Sequence, residues 1–251
     1  IYTQYLSLLA AETVNFSLST ILTLILSGII GVFIGMLINY FADVLPANRR
    51  LNRPVCPNCD QPYNLKTYLL FQKCPNCGQK RSLRSHIVLV MAAACSVLLR
   101  FFPFFTLSYW ATLPILLFLG VIIVIDIEHH IVLIQTSLVG IILLFIYGSF
   151  MHGVLTSLYG GLAGLLITLG FFILGIIFTK VLGRLRGKSV NQVAFGLGDV
   201  FAGFFLGLLA GWPAIAGGII AGILVFGAYS LVFLIVLISS KRYRAFASPQ
   251  P

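Results

Sequence analysis

The sequence predicts an all-α, polytopic membrane protein of about seven transmembrane helices, carrying a small cytoplasmic zinc-knuckle module. Three observations lead there. Hydrophobic residues make up 59% of the 251 and charged residues only 9%, against about 25% charged in a soluble domain. The apolar residues gather into long runs of bilayer-spanning length. Four of the five cysteines stand in two Cys-x-x-Cys pairs, inside the one sizeable polar stretch.

Residues 1–17 are mildly apolar with a single acid, Glu12, and are read as an extracytoplasmic segment lying along the membrane surface. No polar region followed by a small-residue cleavage site marks a removed signal peptide there. The first span is 18–40, without a charge and longer than the roughly 20 residues a bilayer requires. Its Gly28, Gly31 and Gly35 permit a neighbouring helix to come close. Residues 41–86 form the polar cytoplasmic module. Further apolar runs at 87–105, 109–125, 131–150, 154–178, 193–210 and 212–238 make a six-helix domain over 87–240, followed by a tail at 241–251.

Basic residues orient these spans. With the four-cysteine module inside, every Lys and Arg except Arg100 falls on the inner side, in the module, in the loop of Lys180 to Lys188 or in the tail. That asymmetry puts the N-terminus outside and the C-terminus in the cytoplasm. The net charge of +10 is accounted for by these loops, so nucleic acid is not an expected partner; the lipid bilayer is.

Cys56-Pro57-Asn58-Cys59 and Cys74-Pro75-Asn76-Cys77 are separated by fourteen residues. Two such knuckles offer four thiolates to one tetrahedral ion, with zinc at about 2.3 Å from sulfur the expected occupant. The basic surroundings favour the thiolate forms. Two disulfides or free thiols are the plainer alternative. Four cysteines leave no open coordination position, so the expected role of the ion is structural. Cys95, inside a span, reads as a small packed hydrophobe.

Two acids lie where charge is expensive. Asp126 ends the run Val121 to Ile125, and Asp199 closes Phe195-Gly196-Leu197-Gly198-Asp199 at the start of a later run. The threading above brings both to the inner face. Paired carboxylates share a proton: one activates water, while the other donates to the carbonyl or leaving nitrogen of a peptide. Gly196 and Gly198, lacking a Cβ, would let a reacting chain pass close. A single intramembrane acid serves at least as often as a proton relay or a helix contact, and an acid at a boundary is simply solvated. Glu128, His129 and His130 read as a hydrated turn, and the two histidines lack further ligands at metal-binding spacing. His152 reads as interfacial; Asp43, at the inner end of the first span, is within reach of the paired acids, but its proximity to Arg49 and Arg50 favours an ordinary surface acid.

The order of these parts resembles that of the bacterial prepilin peptidases, the type IV leader peptidase family, over about residues 31–240. Gly31, Gly35 and Asn39 with Leu45-Pro46 match the family's first span. Cys56, Cys59, Cys74 and Cys77 match its zinc cysteines, and Asp126 and the Asp199 of Gly196-Leu197-Gly198-Asp199 its two catalytic aspartates. The resemblance implies an aspartic endopeptidase of the bacterial cytoplasmic membrane that removes the basic leader of type IV prepilins and pseudopilins. Many such enzymes then methylate the new N-terminus with S-adenosylmethionine. The chain departs from the pattern at Val44, where the family has Arg, and near Leu133 and Ile134, where it has Pro-Asp. It departs again at Phe201, where the family has Lys, and at Arg84-Ser85-His86-Ile87, which replaces an Arg-Tyr-Pro-like stretch. The competing expectation is a non-enzymatic protein, either a proton-coupled carrier or an assembly factor docking through its zinc module.

Overall fold

Apolar runs of this length have one economical backbone solution, the helix, in which each N–H finds its own carbonyl. The computed structural model describes residues 18–48, 51–56, 58–103, 107–129, 133–186 and 196–239, and its regular elements there are all helices. They are α1 (Leu18–Asn48), α2 (Leu65–Leu69), α3 (Leu83–Phe101), α4 (Tyr109–His129), α5 (Ile134–His152), α6 (Val154–Arg186), α7 (Leu197–Ala210) and α8 (Ala214–Ser239). The proposed surface segment 1–17, the tail 241–251, His130, Lys188 and Phe195 lie outside the described residues.

Five helices (α1, α3, α4, α6 and α8) are long and apolar enough to cross a membrane. The other two apolar helices, α5 and α7, are shorter, and they fall where two of the seven expected spans lie. At about 1.5 Å per residue, the 14 residues of α7 rise about 21 Å, less than a hydrocarbon core of about 30 Å.

The chain divides into two compact units, Ile1–Thr136 and Ser137–Pro251. In the first, α1 packs against α3 and α4 around Ile34, Ile38, Ala42, Ala92, Val121 and Ile125. Close approach is written into α1: a Cβ on Gly31 would lie 2.6 Å from the Ala93 Cα. Three hydrogen bonds made by two buried side chains bind the helices together. Ser96 donates to the Ser27 carbonyl at 2.8 Å and pairs with the Tyr109 hydroxyl at 2.7 Å, and Asn39 donates to the Ser85 carbonyl at 3.0 Å. Partnered in this way, the Ser96 hydroxyl and the Asn39 amide N–H are tolerated away from water.

In the second unit, α6 and α7 meet through small residues at four-residue spacing: Gly160, Gly164 and Thr168 face Gly203, Gly207 and Gly211. A Cβ on Gly164 would stand 2.1 Å from the Gly203 carbonyl oxygen, and one on Gly207 would stand 2.3 Å from that of Gly160. Ser157 donates across the seam to the Leu208 carbonyl at 2.7 Å. Dispersion and close backbone contact hold such pairs, because lipid is as apolar as the helices themselves. Gly164→Ala is therefore expected to force α6 from α7 and destabilise the unit by about 2 kcal/mol. Gly170→Ala, where nothing lies within 4 Å, should be neutral or stabilising by about 0.5–1 kcal/mol. Unfolding midpoints of the two variants in the same detergent check the contrast.

Candidate metal centre and the two aspartates

Each cysteine pair is a turn that folds on itself. In the first knuckle the Cys56 N–H donates to the Gln61 carbonyl and the Asp60 N–H to the Cys56 carbonyl, both at 2.9 Å. In the second, Cys74 to Gln79 and Gly78 to Cys74 repeat both bonds at 2.9 Å. The fifth residue of each turn is left-handed, Asp60 at φ 54° and Gly78 at φ 70°. The repeat was visible in the sequence as Cys-Pro-Asn-Cys-(Asp/Gly)-Gln, since Asp and Gly tolerate that conformation. A bridge between Val55 and Pro62 closes the first turn.

The two turns bring all four sulfurs within 4.8 Å of one another. Cys56 Sγ lies 3.6 Å from Cys77 Sγ, and Cys59 Sγ 3.7 Å from Cys74 Sγ. Disulfides, with sulfurs about 2.05 Å apart, are not formed. A tetrahedron with metal–sulfur bonds of about 2.3 Å has edges of about 3.8 Å, so the set fits one thiolate-bound ion and is compatible with a structural zinc. Burial raises the Cys56 thiol. Backbone hydrogen bonds from Asn58 and Cys59, with those of Tyr63 and Cys77, outweigh that and bring it down to about 6. The Gln61 backbone lowers Cys59, yet burial and the three neighbouring sulfurs push it up to about 11. Four sulfurs this close share their negative charge only when a cation sits among them.

The module is not tethered loosely. Tyr68, 1% exposed, packs with Cys56, Tyr63 and Cys74. Its hydroxyl donates to the Asp43 carboxylate and, at 3.2 Å, to the Asn39 carbonyl. Burial, and after it the Asp43 charge, pushes the Tyr68 hydroxyl well above its usual pKa, so it stays a donor. Arg81 lies 4.1 Å over the Tyr68 ring and donates to Asp43 at 3.1 Å. Arg84 donates to Asp43 with one nitrogen and to Glu128 with the other.

These contacts correct two readings of the sequence. Asp43 is not an ordinary surface acid beside Arg49 and Arg50, which lie outside the described residues. It is an acceptor within α1 for Tyr68, Arg81 and Arg84. Glu128 and His129 form the last turn of α4 rather than a hydrated turn, and Glu128 is ion-paired.

Asp126 lies in the first unit, two residues before Glu128, exposed and without a hydrogen bond or ion pair among the described residues. Asp199 lies in the second unit, in the first turn of α7, also exposed. Its carboxylate accepts the Gly196 N–H at 2.9 Å, while its own N–H donates to the Gly196 carbonyl at 3.2 Å. A carboxylate at this position is favoured by the free N–H groups of a helix start. A Cβ on Gly196 would meet nothing closer than 3.7 Å, so no steric demand within the helix start requires glycine there.

No family model, curated protein or solved structure matches this chain.

The residues provide a closed four-sulfur site, an ionic network joining it to three helices, and two exposed carboxylates at helix ends.

Proposed function

We propose that the chain is a membrane-embedded aspartic endopeptidase of the prepilin peptidase kind, with Asp126 and Asp199 as its catalytic pair. The observation that carries the reading is the order of parts. A glycine-bearing first helix leads to a four-thiol module, then to an acid near the end of an apolar helix, then to Gly-x-Gly-Asp opening another. In this reading the seven apolar runs of the sequence, the run 193–210 rather than α7 alone among them, span the bacterial cytoplasmic membrane, with the N-terminus outside, and the cysteine module holds a structural zinc ion in the cytoplasm.

One carboxylate, ionised, takes a proton from water as the oxygen attacks the scissile carbonyl. The other, protonated, donates to the carbonyl oxygen and the proton then passes to the leaving nitrogen. The substrates are type IV prepilins or pseudopilins, whose basic leader is cut at the inner face. Incubating the purified protein in lipid with a leader-bearing pilin precursor tests this. The expected product is the pilin freed of its leader, read by mass spectrometry. Intact precursor under conditions where the protein is folded and metal-loaded would overturn the reading. The same spectrum reports methylation, since a methyl group from added S-adenosylmethionine replaces an amine proton and increases the product mass by the equivalent of one CH2.

One observation favours a second reading, a non-enzymatic assembly factor docking through its zinc module: the Asp199 carboxylate already serves the start of its own helix. That reading expects no peptide product and no effect of either aspartate on partner binding.

A further inference from the structure

Arg84 and Glu128 each sit at the wrong end of a helix. Arg84 is the second residue of α3 and Glu128 the second-last of α4. A cation beside the free N–H groups of a helix start is disfavoured, and so is an anion beside the free carbonyls of a helix end. Neither residue is placed for the sake of its own helix. Where local preference is overridden twice at one contact, the contact itself is the reason.

The partners of Arg84 lead back to the sulfur cluster. Its guanidinium spans Asp43 on α1 and Glu128 on α4. Asp43 is also held by Tyr68 and Arg81. Tyr68 packs against Cys56 and Cys74, and Arg81, four positions after Cys77, has a side chain only 7% exposed. We propose that Arg84 is a positioning residue that carries the hold of the metal-loaded module onto the inner end of α4. With the module in place, three donors orient the Asp43 carboxylate and shield its pair with Arg84 from water. Without it, two donors and the shield are lost. The remaining pairs become solvated surface contacts, which contribute little.

The turn so held contains Asp126. At about 100° per residue, Asp126 points about 200° around the helix from Glu128. Anchoring Glu128 therefore turns Asp126 away from α1 and α3. The inference does not depend on Asp126 being catalytic.

Hydrogen exchange in lipid nanodiscs tests it, comparing the full chain before and after zinc is stripped with a chelator. Stripping is expected to speed amide exchange over residues 122–129 about tenfold, together with that of the module. Glu128→Gln should speed 122–129 by a similar factor with zinc content unchanged, and remove its further response to stripping. Tyr68→Phe, which keeps the ring against the sulfurs, should give an intermediate acceleration with zinc retained. The proposal is overturned if stripping changes only the module, or if Glu128→Gln leaves the response of 122–129 intact. Peptide cleavage enters neither outcome, so a failure here is separate from a failure of the protease reading.

Discussion

Asp199→Asn is expected to lower peptide cleavage by about 10³-fold or more while leaving the protein as stable as before. Asn retains an oxygen where Asp199 accepts the Gly196 N–H, so the start of α7 survives the change. What Asn loses is the ability to share or move a proton at working pH. Asp199→Ala removes the acceptor as well, and should add about 1 kcal/mol of destabilisation to the same loss of activity. The pair of variants separates two jobs that one carboxylate can perform. If Asp199 merely starts a helix, Asn is active and only Ala is impaired. Asp126→Asn makes the complementary test: Asp126 has no partner among the described residues, so stability should not fall, while cleavage should fall as for Asp199→Asn. Rates on a pilin precursor, set beside unfolding midpoints, decide among these outcomes.

The helices were legible because apolar runs of span length leave the backbone little choice. Their ends were not, and Asp43 shows why. A charge after Tyr40 reads as the end of a span, yet α1 continues to Asn48 with Ala42 and Val44 fully buried on either side of it. The charge is tolerated because Arg81 and Arg84, about forty positions on, meet it. Hydrophobic periodicity carries no information about such a partner. Glu128 was misread for the same reason, since its stabilising cation belongs to another helix. The four cysteines were legible because their spacing is itself the local geometry. The α6–α7 seam was present in the sequence as small residues every fourth position, from Gly160 to Gly164 and from Gly203 to Gly211. Gly-x-Gly-Asp resists a single reading because a helix start and a catalytic acid ask for the same residues in the same order.

Cys74→Ser is expected to empty the metal site and open the segment from residue 51 to residue 82 to protease. That stretch has one helix of five residues and one isolated bridge, too little regular structure to close a core of its own. Its hydrophobic cluster is Cys56, Tyr63, Tyr68 and Cys74, with Pro54 also buried, so the sulfur cluster is the centre of the module rather than an ornament on it. A structural zinc site in such a segment contributes about 10 kcal/mol or more, and losing one of four thiolates forfeits most of that. Lys66, Lys73 and Lys80 are exposed, which makes trypsin a direct probe. The metal-loaded chain should resist cutting at these positions because the turns hold its backbone, whereas the variant should be cut there rapidly, with no zinc retained. The spans should survive, since α1 stays bound to α3 through Asn39 and Ser85 and through Ser96 and Ser27 without help from the module. A Cys74→Ser protein that stayed trypsin-resistant would mean that docking of Tyr68 against α1, and not the ion, holds the module.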